Sequence, residues 1–319
     1  MEQTVTIIPP QAIRSAGELD ADLFTRWESF IDASPRTVNC YRESLRHFVS
    51  FLQDNGITAP ARGDVLAYKK ELLLRLKPAT VNAYLAAVRQ FFRWTEQEGF
   101  YPDVSAGLKG AKLDKEHKKD ALSIADCTVL LNLVDRSTTR GIRDYAMLCV
   151  MLTGGLRCVE IVRANVEDVE IIAGTPRLYV LGKGRTERNE FVNLPRQTFK
   201  AIREWIDLRE REEGHKAGGK EPLFTGLSNN GKGTRLTGRA VSAIAKEALR
   251  RAGYDSDRIT AHSLRHTAIT AALEAGEDIR EVMRFARHSN IQTTLIYAHD
   301  LEKKQNHCAE TVASLIFAK

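Results

Sequence analysis

Apolar residues recur at helical spacing through most of this sequence, beginning with Leu23, Trp27, Phe30 and Ile31 and continuing with Val38, Tyr41, Leu45, Phe48, Phe51 and Leu52. Each set forms a stripe with a charged opposite face. Ser34 followed by Pro35 reads as the N-cap and first-turn proline of the second helix. A third stretch at 65–76 and a fourth at 78–98, with Val81, Leu85, Val88, Phe91 and Phe92 inside, complete a four-helix unit that Gly99 ends.

With 319 residues, 43% of them hydrophobic, the chain can bury more than one core, so a domain boundary is expected. The segment LKGAKLDKEHKKD at 108–120 is polar, rich in lysine and without an apolar face, and reads as the linker. Residues 1–18, with Pro9 and Pro10, read as an irregular arm. After the linker, Ser123 caps a helix over 124–134, and 143–152 is strongly apolar. Three short strands follow at 166–172, 177–181 and 190–194, rich in β-branched and aromatic residues and bounded by glycine-containing turns. Helices are expected again at 197–213, 237–252, 263–275, 279–286 and 291–297, with a last amphipathic piece near the C-terminus. The class is therefore mainly α: an N-terminal four-helix domain, then a mostly helical α+β domain with a small three-stranded antiparallel sheet.

Lys and Arg number 47 against 41 Asp and Glu, a net charge of +6 that suits a polyanionic partner without requiring one. The phrases PRTVNCY at 35–41 and PATVNAY at 78–84 put Thr37, Asn39, Thr80 and Asn82 at two helix starts that could face one anionic surface. Good helix-start propensity accounts for the same residues. Lys112, Lys115 and Lys118 likewise suit a solvated linker or one that crosses a DNA backbone. Five cysteines without a C-x-x-C pair read as buried thiols in a reducing cytoplasm. No apolar run reaches the roughly 18 residues of a membrane span and no signal peptide opens the chain, so an intracellular, membrane-free protein is expected.

His262, Arg265 and His266 share one helical turn. The two histidines are spaced like a metal pair, but Ser263 stands where H-E-x-x-H has Glu, and no Cys or acidic cluster supplies further ligands. Phosphate transfer fits better: Arg265 offers a planar fork to a phosphodiester, and His262 can shuttle a proton near neutral pH. His266 reads as a satisfied histidine buried beside the next helix. Arg157 opens another helix with Glu160 three positions on, able to orient it, and Lys183 sits at a hairpin tip. The stretch 226–233 imitates a P-loop, but Gly233 replaces the magnesium-holding Ser or Thr, so a flexible surface loop is expected.

The order Arg157, Lys183, His262-x-x-Arg265, His288, Tyr297 resembles the tyrosine recombinases of the phage integrase family. The matching phrases are GGLRCVE at 154–160, VLGKGRTER at 180–188, HSLRH at 262–266, LEAGEDI at 273–279 and ARHSNIQTTLIY at 286–297. The N-terminal unit is similar to that family's core-site-binding domain, mainly in its helix pattern. The resemblance implies a DNA-binding domain at 19–107, a catalytic domain at 121–300 and a tail helix at 301–319 that subunits exchange. It makes Tyr297 the nucleophile, Arg157 and Arg265 the phosphate clamp, His288 a further hydrogen-bond donor, His262 the proton acceptor and Lys183 the acid for the leaving 5′ oxygen. Arg185 and Arg287 are added as DNA contacts.

The same resemblance implies a 3′-phosphotyrosyl intermediate and a Holliday-junction pathway with no cofactor, metal or ATP. Its partners would be double-stranded DNA with inverted-repeat core sites and three further copies of the chain, a homotetramer on two sites. The setting would be the nucleoid of a bacterium or a phage or mobile element, and the length suits the compact Xer-like or mobile-element type. A topoisomerase of type IB and an inactive DNA-binding protein are the alternatives. The complete residue set speaks against the second, and an apolar stripe at Val312, Leu315 and Ile316, suited to docking on another subunit or folding back, bears on the first. Two departures stand out: Gly154 where Thr is common, and Arg287 where Gly is usual, facing either a neighbouring phosphate or solvent.

Overall fold

The computed structural model describes residues 21–113, 121–182, 187–229, 231–304 and 315–316, and the chain divides into two units, Met1–Lys115 and Glu116–Lys319. The first holds α1 (Ala21–Phe30), α2 (Pro35–Asp54), α3 (Arg62–Arg75) and α4 (Pro78–Gln97). Ser34 caps α2, its hydroxyl accepting the Thr37 amide at 3.3 Å, while Pro35 occupies a position that needs no donor. The start of α3 is fixed by Asp64, whose carboxylate accepts the Ala61 amide at 2.7 Å. Trp27, Phe48, Tyr68, Leu85, Phe91 and Phe92 fill the core, with Phe48 and Phe92 edge to face at 5.9 Å.

The expected linker begins too early. Leu108 and Ala111 are buried in the N-terminal core, and the Asn82 amide grips the Ala111 backbone at both ends, accepting at 2.6 Å and donating at 3.0 Å. Gly110 permits this, since a Cβ there would meet Asn82 Oδ1 at 2.6 Å. Two isolated apolar residues with backbone clamps carry no periodicity, which is why 108–111 reads as linker in sequence. Residues 114–120, with Lys115 and Lys118, lie outside the described residues, as does the expected arm at 1–18.

The second unit contains α5 (Ile124–Asn132), α6 (Thr139–Gly154), α7 (Cys158–Arg163), β1 (Val169–Ile172), β2 (Thr175–Val180), β3 (Glu190–Asn193), α8 (Arg196–Glu213), α9 (Gly238–Arg251), α10 (Ala261–Glu274), α11 (Ile279–Ala286) and α12 (Ile291–Lys304). The sheet is antiparallel in the order β1-β2-β3, with Leu178 opposite both Val169 and Val192. Its first strand starts later than expected because Val166–Asp168 wind into a 3-10 turn, held by the Asp168 carboxylate on the Asn165 amide at 2.7 Å. Helix α6 is the centre of this unit: Ala146–Met151 are all buried, with α8 and α10 packed against it. Four free cysteines are described, and Cys40 is exposed rather than buried because it lies off the Leu45, Phe48 and Leu52 stripe of α2. Among the described residues no helix is long and apolar enough to cross a membrane. Leu315 and Ile316 are helical and exposed, while Val312 lies outside the described residues.

Candidate active site

Two backbone reversals in the second unit bring the candidate residues together. Helix α6 ends where Gly155 adopts φ +57°, a left-handed conformation that glycine reaches without strain, and two residues on Arg157 is the N-cap of α7. Glu160, at the third position of α7, returns to this start: one oxygen accepts the Arg157 amide at 2.8 Å and the other the Arg157 guanidinium at 2.9 Å. Helix α10 presents His262, which is exposed, and Arg265 and His266, which are buried. Helix α11 ends at Arg287, again left-handed at φ +53°, and passes through His288 into α12, which carries Thr294 and Tyr297.

Arg265 is 1% exposed and donates to the carbonyls of Gly155 and Ala286, so it is fixed between the ends of α6 and α11. Burial first, then repulsion by Arg157 and Arg287, lowers its pKa from the ordinary guanidinium value to about 9. Burial alone would raise the Glu160 carboxyl. Arg287, followed by the Arg157 amide and guanidinium, reverses that and holds it below the usual carboxylate range. Three guanidiniums thus gather around one carboxylate, and the surplus positive charge makes this a place for an anion.

The Tyr297 phenol is buried against the His266 ring, with centroids 4.7 Å apart, and stacks more loosely on His288 at 6.1 Å. Burial raises its pKa above the ordinary phenol value, while Arg265 and Arg157 pull the other way. His288 is lowered to about 4, by burial first and then by Arg265, Arg157 and Arg287, so at neutral pH it is an uncharged ring. Its Nδ1 pairs with the Thr294 hydroxyl at 2.9 Å, leaving Nε2 for another partner.

The structure therefore brings together Arg157, Glu160, Arg265, His288 and Tyr297. Lys183 and Arg185 lie outside the described residues. Arg287 corrects the expectation of a DNA contact: its side chain is 2% exposed and bonds Glu160 at 3.0 Å and the Gly155 and Phe285 carbonyls at 3.0 and 2.7 Å. A phosphate on the surface cannot compete with those buried acceptors. Asn82 is similarly committed to Ala111, whereas Asn39, Thr80 and Lys112 are exposed and Thr37 is half-buried, its hydroxyl 2.9 Å from that of Ser34. Sequence reasoning missed the Tyr297 side of His266, and it missed Thr294. The one-turn spacing from Thr294 to Tyr297, six residues after His288, was the available sign.

Residues 124–304 match the family model for the phage integrase family, and residues 30–99 match that for the N-terminal SAM-like domain of phage integrases. The chain belongs to the phage integrase family. It is 30% identical over 305 residues to a tyrosine recombinase of Synechococcus elongatus, covering 95% of this chain and 89% of that one. It is 32% identical over 269 residues to the tyrosine recombinase XerC of Herpetosiphon aurantiacus, covering 82% and 84%. Two solved structures share its fold: XerH site-specific recombinase bound to a palindromic difH substrate (TM-score 0.70, 18% identity, 92% and 84% covered) and a lambda integrase dimer on a core site (TM-score 0.64, 15%, 85% and 96%). This integrase-family chain is a tyrosine site-specific recombinase, and the topoisomerase and inactive-binder alternatives are not favoured.

Proposed function

We propose that Tyr297 is the nucleophile with which this recombinase cuts and rejoins double-stranded DNA. The observation that carries the reading is the buried phenol coupled to Arg265 and Arg157, with Arg157 and Arg287 sharing the Glu160 carboxylate. Arg157 and Arg265 hold the non-bridging oxygens of the scissile phosphate and offset the charge that grows there. His288, uncharged, donates from Nε2 once Thr294 occupies Nδ1 as a donor. His262, on the exposed start of α10, takes the phenolic proton. The tyrosyl oxygen bonds to phosphorus as the bond to the 5′ oxygen breaks, and Lys183 supplies the proton to that oxygen. A cleft of about 730 Å³ lies beside the site, its lining including Asn189, Glu190, Arg287 and His288.

The 3′-phosphotyrosyl link keeps the energy of the phosphodiester, so the 5′-hydroxyl of a partner strand reseals it without ATP and a Holliday junction results. The DNA would carry inverted-repeat core sites contacted by the helix starts at Thr37, Asn39 and Thr80, with a homotetramer on two sites in the cytoplasm, at the nucleoid. The domain limits follow the sequence expectation, with the linker shortened to begin after Ala111. Recombinases of the same fold solved on a difH substrate, a core site and a transposon end support a DNA partner for this chain.

A nicked suicide substrate incubated with the protein is expected to trap a covalent adduct that maps to Tyr297. Tyr297→Phe should lose the adduct and keep core-site binding; an adduct in that variant would overturn the assignment. Truncation before Glu310 should keep cleavage and lose strand exchange, and unchanged synapsis would rule out a subunit-linking tail.

A further inference from the structure

Arg287 occupies a backbone conformation, φ +53° and ψ +48°, that a residue with a Cβ adopts at a cost glycine avoids. Its side chain is nevertheless buried and fully engaged. It bonds Glu160 at 3.0 and 3.4 Å, the Gly154 and Gly155 carbonyls at 3.3 and 3.0 Å, and the Phe285 carbonyl at 2.7 Å. In return, its own carbonyl accepts from the Arg157 guanidinium at 3.3 Å. One residue therefore laces the end of α11, which leads to His288 and Tyr297, onto the turn that carries Arg157.

Charge makes the consequence specific. Glu160 is 0% exposed and pairs with Arg157 at 2.9 Å. Taken by themselves, those two cancel, and Arg157 would face a phosphate with its charge already spent on a buried carboxylate. A second guanidinium on the same carboxylate restores the surplus, and Arg157, still 29% exposed, keeps a face for substrate. We propose that Arg287 is a positioning residue that neutralises Glu160, so that the Arg157 charge is available to the scissile phosphate, and that locks the His288–Tyr297 segment at a fixed distance from Arg157. This rests on the reading of Arg157 as part of the phosphate clamp.

The groups around Glu160 are Arg157 at the start of α7, Arg287 after α11 and Arg265 from α10, with His288 coupled to all three and to His262, and Tyr297 to Arg265 and Arg157. All three arginines favour the ionised carboxylate. Removing Arg287 takes away the strongest of them, so Glu160 titrates higher and acid begins to reach it.

The test compares wild type with Arg287→Gly, which suits the backbone, Arg287→Met, which fills the volume, and Arg287→Lys, which keeps the charge. Single-turnover cleavage of a suicide substrate is measured from pH 5 to 8.5, DNA affinity is measured alongside, and the Glu160 carboxyl is titrated by NMR in the DNA-free protein. Arg287→Gly and Arg287→Met are expected to cleave at least tenfold more slowly at pH 7, a loss on the order of 1.4 kcal/mol in barrier. Their DNA affinity should stay within twofold, an acid limb absent from wild type should appear, and the Glu160 midpoint should rise. Lysine should restore part of each effect. Wild-type rate, pH profile and Glu160 midpoint in Arg287→Gly would overturn the proposal, as would a rate loss matched by an equal loss of DNA affinity. If wild type forms no adduct while the Glu160 midpoint still moves in the variants, the clamp reading fails and the Arg287–Glu160 tie stands.

Discussion

Among the described residues, the N-terminal unit buries Ser44, Thr95 and Ser105 but no charged side chain, whereas the C-terminal unit buries Arg143, Glu160, Asp168, Arg209, Arg265 and Arg287 together with His266 and His288. The first is held by an apolar, largely aromatic core that asks only for volume and spacing. The second spends stability on charges taken out of water, and three of them, Glu160, Arg265 and Arg287, gather with Arg157 at the candidate site. Placing uncompensated guanidiniums in a core weakens a fold and prepares a site for an anion; the two effects come from the same atoms.

The contrast is open to direct attack. Phe92 is fully buried and touches Phe48, Phe91 and Tyr101. Phe92→Ala should remove about 3–5 kcal/mol of unfolding free energy. Denaturant melts read it, and a loss under about 1 kcal/mol would mean that this core is not held by packing. Adduct formation at a temperature where the variant stays folded should not change, because no candidate catalytic residue lies in that unit.

Arg265→Met should behave in the opposite sense. The rate of adduct formation is expected to fall by about 10²–10³, or roughly 3 kcal/mol in barrier, the effect of losing one charge-stabilising donor. Its stability should hold or rise, since a charge buried among like charges is replaced by an apolar chain of similar length. A variant that melts several kcal/mol earlier would show that the Gly155 and Ala286 carbonyls need Arg265 more than the reaction does.

A smaller effect follows from His288. Its folded-state pKa, about 4, lies below the ordinary value of 6.5, so between these limits the unfolded chain binds the extra proton. Stability is then complete above about pH 6.5 and falls as the pH drops toward 4, by on the order of 2 kcal/mol between pH 7 and pH 5. Glu160, also lowered, contributes in the same direction but only below its ordinary carboxylate range. Comparing urea midpoints at pH 7 and pH 5 in wild type and His288→Asn isolates the histidine, and an equal drop in both proteins would assign the slope elsewhere. The N-terminal unit, whose charged side chains remain at the surface, should carry little of that slope.

Legibility followed the same divide. Periodicity and the Ser34–Pro35 start gave the start of α2 and the span of α4 almost to the residue, because packing is what wrote them, while α3 begins three residues before its first apolar position. Leu108 and Ala111 escaped since their burial depends on Asn82, Arg89 and Lys69 reaching backbone carbonyls, and no local pattern records that. In the C-terminal unit the ordered motifs gave Arg157, Arg265, His288 and Tyr297, but not who pairs with whom. Arg287 read as a surface contact because charge on one sequence position says nothing about a carboxylate 127 positions away. His266 read as packing and does pack, yet the ring it packs on is Tyr297.

The mildest perturbation asks whether the helix starts of the N-terminal unit are only structural. Ser34→Ala removes the oxygen that accepts the Thr37 amide and should cost about 1 kcal/mol, while Ser34→Gly should cost a few tenths. Neither should alter cleavage of DNA already bound. The Ser34 hydroxyl also sits 2.9 Å from that of Thr37, so its loss frees the Thr37 hydroxyl to turn outward. If the start of α2 binds a phosphate, core-site affinity measured at two salt concentrations should shift in Thr37→Val more than in Ser34→Ala. If both variants bind as wild type, Thr37 is a cap neighbour alone, and the N-terminal unit reaches DNA through some other face.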